Sequence, residues 1–371
     1  MQYEPILREN MPELDSVRGL AILGVIFYHG FFWLTDSRHF TLPEKMFVWA
    51  MWPGRMGVNL FFVLSGFLIT GLLIDSRNRG DYYKRFYVRR ALRILPAYYA
   101  ILALLILIRL ASWPFIGLSA IYLSNLTPLF GVAMAYPVLW SLAVEEHFYL
   151  LWPTFVRKLS FLNLAACSML IITLSPLLRL VSFFLYRNNG FVDYVFTEFT
   201  WNASDGLACG ALVAIGLRRL DIQRYQLRRV AFACVAAGML VFVGCLPFGI
   251  WTTQRPIGAM LLVTAWNIIF VGLLMLFLLI GTSRWKSFVS NRYLWFFGEI
   301  SYGLYLVHLL LFSAYDALVR HYFPTLRGSS SFSSLCLRFL VAATASIGLA
   351  YMSRRWFENP FLQLKDRLCS R

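Results

Sequence analysis

The sequence carries little charge. Only 14% of its 371 residues are Asp, Glu, Lys or Arg, where soluble domains carry about 25%. Acidic residues are scarcest, 18 against 34 basic ones, for a formal net charge of +16. Cysteines number six (Cys167, Cys209, Cys234, Cys245, Cys336, Cys369). They lack the paired spacings of a disulfide framework or a metal site and read as small core residues. No low-complexity tract, soluble appendage or internal repeat is visible. The first apolar run has no small-residue cleavage site after it and is expected to stay as an anchor. Apolar residues are what the chain has: 59% are hydrophobic and 17% aromatic. That composition excludes an ordinary soluble globule and predicts an all-α polytopic membrane protein.

Ten apolar segments are expected to span the bilayer, near 16–34, 56–74, 94–111, 138–157, 161–185, 200–217, 229–249, 257–281, 293–315 and 335–357, in a single transmembrane domain over 1–371. Each approaches the roughly 20 residues that cross a membrane. The sixth is diluted by Asp205 and several small residues. The stretch 113–137, with Pro114, Pro128 and Pro137, reads as re-entrant or interfacial. Loop charge supports this count. Basic residues crowd 75–93 (Arg77, Arg79, Lys84, Arg85, Arg89, Arg90, Arg93), 218–229, 282–292 (Arg284, Lys286, Arg292) and the chain from Arg354 onward. The alternate loops are poor: 112–137 has no Lys or Arg, 186–199 only Arg187 and 250–256 only Arg255. The positive-inside rule then puts both termini in the cytoplasm. The net charge is thereby explained by orientation and needs no nucleic acid.

Ionisable groups inside spans are costly and need a reason. In "LDSVRGLAILGVIFYHGFFW", residues 14–33, Arg18 lies near the cytoplasmic face and His29 roughly 16 Å further out. The fourth span, "VLWSLAVEEHFYLLWP", places Glu145 and Glu146 about 10–12 Å below its outer end. The ninth, "FFGEISYGLYLVHLLLF", places His308 about 10 Å below its outer end. Three helices distant in sequence therefore bring His29, a glutamate and His308 to similar depth. A lone histidine in a span can also simply bond a backbone carbonyl or a neighbouring helix. The adjacent glutamates point about 100° apart, so one needs a buried partner, for which His147 is a candidate. Ser141, one turn from Glu145, favours Glu145 as the inward-facing residue. Ser65-Gly66 in "GVNLFFVLSGFLIT" either lets helices approach closely or leaves room for a thin substrate chain. Arg89, Arg90 and Arg93 in "YVRRALRILPAYY" serve topology, and with Arg18 they also suit an anionic ligand, because guanidinium groups grip phosphate bidentately. Lipid headgroups compete for that role.

Taken together, "LDSVRGLAILGVIFYH", "GVNLFFVLSGFLI", "YVRRALRILPAYY", "WSLAVEEHFYLLWP", "SDGLACGAL", "GEISYGLYLVH" and "ENPF" resemble acyltransferase family 3, the integral-membrane O-acyltransferases. The match runs over about 350 residues in order, and the spacing of Arg18 and His29 is that family's motif. The resemblance implies a stand-alone form without a fused hydrolase-like domain, acting alone or with a separate extracytoplasmic partner. It implies an acyl group, usually acetyl, taken from cytoplasmic acyl-coenzyme A as co-substrate and passed to a hydroxyl of a sugar, glycan, glycolipid or small acceptor at the outer side. The setting implied is a bacterial inner membrane. It implies that His29 and Glu145 are functional, that Arg18, Arg89, Arg90 and Arg93 hold the donor, and that Asp205 lies on the acceptor side. His147 stands where many members have glutamine.

A hydroxyl is a poor nucleophile at neutral pH and needs a base within hydrogen-bond reach. A neutral His29 oriented by a carboxylate such as Glu145 meets that need. Glu146, Ser65, Trp140, Tyr302 or His308 would then support the acceptor or the oxyanion. An acyl-histidine intermediate is an alternative. No metal and no permanently bound cofactor are expected. Two rival readings exist: a proton-coupled transporter also places His and Glu in spans, and a scaffold would use buried charges only as paired struts.

Overall fold

In the computed structural model, the chain is described over residues 6–8, 11–33, 35–187, 195–281, 291–323 and 331–368. These residues form helices α1 (Pro12–Phe27), α2 (Leu42–Ala50), α3 (Gly57–Asp75), α4 (Tyr82–Leu107), α5 (Trp113–Ala120), α6 (Leu139–Lys158), α7 (Phe161–Tyr186), α8 (Val195–Glu198), α9 (Thr200–Ala203), α10 (Asp205–Arg219), α11 (Arg224–Gly244), α12 (Pro256–Gly281), α13 (Arg292–Tyr322), α14 (Phe332–Met352) and α15 (Asn359–Leu368). No strand occurs among the described residues. The protein is an all-α, polytopic membrane protein.

Among the described residues, 8 helical stretches are long and apolar enough to cross a membrane. The two other expected spans are α6 and α10. The first carries Glu145, Glu146, Arg157 and Lys158, which dilute its hydropathy. The second has only 15 residues, but Asp205 through Ala211 and Val213 through Ile215 are all buried. Its weak apolar signal has a physical origin: a helix wrapped by protein can use Gly, Ala and Cys where a lipid-facing helix needs larger apolar side chains. The 113–137 stretch holds only α5 and a 3-10 segment, Ser124–Phe130. Neither is long enough to span. Ser112 caps α5, its hydroxyl accepting from Phe115 N at 3.4 Å.

Two boundaries differ most from the sequence reading. The third span begins at Tyr82 rather than near 94, because Lys and Arg are good helix formers. Lys84, Arg85, Arg89, Arg90 and Arg93, expected in a loop, therefore lie on α4, while Arg77 and Arg79 stay in the turn before it. The ninth runs on to Tyr322, beyond the expected 315. Arg284 and Lys286 lie outside the described residues.

The chain divides into two compact units built from interleaved segments. One comprises Met1–Leu14, Asn59–Tyr87 and Leu102–Ser290; the other comprises Asp15–Val58, Val88–Ile101 and Asn291–Arg371. In the first unit, α3 and α10 cross at small residues. A Cβ at Gly66 would run into the carbonyl oxygen of Leu207, and one at Gly210 into that of Val63. Of the two readings of Ser65-Gly66, this is the close helix approach; the space beside Gly66 is filled by α10 rather than left for a substrate chain. In the second unit, α1 packs closely on α13: a Cβ at Gly19 would strike the Leu294 carbonyl, and one at Gly298 the Asp15 carbonyl.

α1 does not end as an α-helix. Residues Tyr28–Phe32 wind as a π-helix, and Trp33 N donates to Tyr28 O at 2.9 Å, five residues back. Such widened turns recur at functional sites.

Candidate active site

The π-turn holds His29. Its Nδ1 lies 2.9 Å from Val25 O and 3.2 Å from His308 Nε2. The two rings sit 5.0 Å apart, centroid to centroid, and Trp33 meets the His29 ring edge-on. His308 is fully buried on α13. Its Nδ1 faces two carbonyls, Tyr305 O at 2.8 Å and Leu304 O at 3.2 Å.

These contacts assign the ring protons. A carbonyl oxygen only accepts, so His308 Nδ1 must carry its hydrogen. Nε2 of the neutral His308 ring is then a bare acceptor. Among the described residues, the hydrogen available to it is on His29 Nδ1, which is shared with Val25 O. His29 Nε2 is therefore the unprotonated nitrogen, and it has no hydrogen-bond partner among the described residues. The tautomer follows from the network rather than from observed hydrogens. Of the two readings of His308, carbonyl bonding and a role at the site, both hold, one at each ring nitrogen.

The turn itself is gripped by α14. Arg338 donates from Nε to Asp316 Oδ1 at 2.7 Å and from Nη2 to Asp316 Oδ2 at 3.0 Å. Its Nη1 donates to Gly30 O at 3.1 Å. The Phe312 ring lies 4.8 Å from the guanidinium carbon. A Cβ at Gly30 would collide with the Phe339 ring, which also packs on Phe27 and Phe31. Arg338 and Asp316 were not among the sequence candidates. Arg338 interrupts the apolar run of α14 and was a legible anomaly; Asp316 fell one residue past the boundary expected for the ninth span.

Arg18 pairs with Asp15 at 2.6 Å, both partly exposed. Arg89 and Arg90 are half-buried and Arg93 is exposed on α4, and the charge of Arg93 acts on Glu358. Arg354 bridges Glu299 at 3.5 Å and Glu358 at 3.9 Å. Tyr302 donates its hydroxyl proton to Ile94 O at 2.9 Å, which ties α13 to α4.

Glu145, Glu146, His147, Ser65, Trp140 and Asp205 belong to the first unit. Glu145, Glu146 and His147 are half-buried. His147, proposed as the partner of a glutamate, directs Nδ1 to Thr200 Oγ1 at 2.6 Å. Ser65 Oγ and Tyr149 Oη share a hydrogen bond of 2.5 Å. Trp140 stands edge-on to Phe62. Asp205 is 1% exposed and paired at 2.9 Å with Arg179, itself 0% exposed; Arg179 also donates to Asn202 O at 2.7 Å and to Thr264 Oγ1 at 2.5 Å. This buried pair has the form of a strut, with both charges hydrogen-bonded as the interior requires.

The chain matches the model of a family described as "Acyltransferase domain" over residues 11–355. It is 31% identical over 172 residues to "Peptidoglycan O-acetyltransferase OatA" of Listeria monocytogenes, covering 40% of this chain and 24% of the relative. It is 28% identical over 337 residues to "Putative peptidoglycan O-acetyltransferase YrhL" of Bacillus subtilis, covering 80% and 48%. A Staphylococcus aureus protein, "Putative O-acetyltransferase SAS0844", is 26% identical over 391 aligned positions, covering 95% and 57%. The chain thus spans between a quarter and somewhat over half of the length of these relatives. No solved structure matches it significantly.

Proposed function

The chain belongs to acyltransferase family 3, and from that premise we propose that it moves an acetyl group from cytoplasmic acetyl-coenzyme A to a hydroxyl of a cell-envelope glycan at the extracytoplasmic side. Peptidoglycan is the first acceptor to test, because two of the relatives carry it in their names. The setting is a bacterial inner membrane.

The observation that carries this reading is the hydrogen bond of His29 Nδ1 to His308 Nε2. It leaves Nε2 of His29 as a bare lone pair on a ring whose other nitrogen is fixed from behind. A base needs this arrangement, with the proton-accepting atom free and the opposite nitrogen oriented. In this reading His308 fills the orienting role, and its own Nδ1–H is anchored by the backbone of α13. Glu145, expected from the sequence to orient His29, is here reassigned with Glu146 to binding the acceptor. Arg18, Arg89, Arg90 and Arg93, in the same unit as His29, would hold the phosphates of the donor.

The chemistry balances without an external acid or base. His29 Nε2 takes the proton of the acceptor hydroxyl as its oxygen bonds to the thioester carbonyl carbon. The tetrahedral intermediate collapses, the carbon–sulfur bond breaks, and Nε2 returns the proton to the departing sulfur. The products are an O-acetyl ester and the free thiol.

The test is transfer of labelled acetyl from acetyl-coenzyme A to peptidoglycan fragments by the purified protein in lipid nanodiscs. Label should appear as an alkali-labile ester, and His29→Ala should lower turnover by about 10²- to 10⁴-fold while the melting temperature holds. Near-normal turnover by His29→Ala would remove His29 as the base. Solute flux in proteoliposomes without consumption of acetyl-coenzyme A would make the protein a carrier instead.

A further inference from the structure

We propose that Arg338, locked by Asp316, is a positioning residue that fixes the direction in which His29 presents Nε2. This inference rests on the reading of His29 as the base. It starts from the cost of the residue. An arginine inside an apolar span must have compensating partners, and in the topology expected for this chain Arg338 lies toward the outer end of its span, where the positive-inside bias gives no reason for it.

The partners are unusually restrictive. A guanidinium is a rigid planar fork. Asp316 occupies the edge made by Nε and Nη2, and Phe312 lies beside the guanidinium. Once that edge is fixed, the direction of Nη1 is fixed too, and it meets Gly30 O. Gly30 follows His29 in the chain, inside the π-turn. Widening the turn takes its peptides out of the regular α-helical bonding pattern, so their tilt is set by outside partners. Arg338 supplies one such partner. Phe339, the next residue on α14, packs where a Gly30 side chain would stand. Two consecutive residues of one helix thus hold Gly30, Arg338 at its carbonyl and Phe339 where its side chain would stand. His308 fixes the ring from Nδ1; Arg338 fixes the backbone from which the ring hangs.

Misplacement of a catalytic group by about 1 Å can cost about 100-fold in rate. Arg338→Ala should therefore lower kcat by about 10- to 100-fold with the KM of both substrates unchanged. Guanidinium or methylguanidinium added to that variant should restore part of the loss, and Arg338→Lys, which cannot form the fork, should stay impaired. A second readout is independent of transfer: the rate at which diethylpyrocarbonate modifies His29, followed by mass spectrometry of the peptide, should fall several-fold in Arg338→Ala. If Arg338→Ala does not fold, Asp316→Asn keeps the side-chain shape and should show the same loss of kcat and of His29 modification. Unchanged kcat and unchanged modification, with His29→Ala inactive, would overturn the positioning role and leave the base intact. An active His29→Ala would overturn both. A fall in melting temperature with unchanged kcat would make Arg338 a strut.

Discussion

At the scale of single residues, the arrangement divides labour between two histidines in the same tautomer, each with its hydrogen on Nδ1. His308 has both nitrogens committed, Nδ1 to backbone carbonyls and Nε2 to His29. His308→Ala leaves His29 Nδ1 with Val25 O alone and a cavity beside it. Loss of one such buried hydrogen bond costs about 1–3 kcal/mol, so kcat should fall about 5- to 150-fold in steady-state assays. His308→Gln can still present an acceptor oxygen to His29 Nδ1–H and should retain more activity than His308→Ala; equal loss in the two variants would argue against the hydrogen bond as the cause. The presence of both histidines in apolar spans was legible in the sequence, because an ionisable group in hydrocarbon is conspicuous. Their contact was not. It depends on which way each helix is turned about its own axis, and α1 changes its winding just where His29 occurs.

At the scale of elements, the crossing of α3 and α10 is set by backbone contact. Gly66 and Gly210 each stand where a Cβ would enter the other helix's carbonyl. No rotamer change relieves a clash with backbone, so the helices must separate. Gly210→Val should destabilise the protein by about 1–3 kcal/mol, the cost of overpacking a tight site, read as a lower melting temperature in detergent or nanodiscs. The spacing of Gly206 and Gly210 is the small-xxx-small pattern that favours close helix approach, so this contact was available to sequence reasoning and was missed. The dilution of α10 by small residues, which weakened it as a span, is the mark of a helix surrounded by other helices. α11 shows the converse. It is strongly apolar and mostly exposed, as a lipid-facing helix should be. Hydropathy reports what a helix faces more faithfully than whether it crosses.

At the scale of the whole molecule, each compact unit is assembled from separated stretches of chain. His29 on α1, His308 on α13 and Arg338 on α14 come together only because the first and last parts of the sequence fold into one unit. Order along the chain gave no hint of this. The helical segments, by contrast, were readable, since their length follows directly from the thickness of a bilayer. The orientation can be checked with single cysteines in a variant whose own six cysteines are replaced by alanine. Thr41→Cys should react with a membrane-impermeant maleimide in intact cells, and Gln223→Cys only after permeabilisation. The reverse pattern would invert the topology and with it the side from which donor and acceptor arrive.

The widened turn at Tyr28–Phe32 also imposes a matter of phase. Eleven residues make just over three complete revolutions of an α-helix. Arg18 and His29 therefore lie within about 20° of one another around the axis of α1, a donor-side cation and a base on a single stripe. The regular winding lasts to Phe27, just long enough to keep them in step. Adding or removing one alanine between Gly19 and Phe27 would leave the segment as apolar as before but swing His29 about 100° away. Such a change should abolish transfer, while adding one alanine between Asp36 and Thr41 should be tolerated. The distance between the two residues is thus also an angle, and the angle is what a one-residue slip destroys.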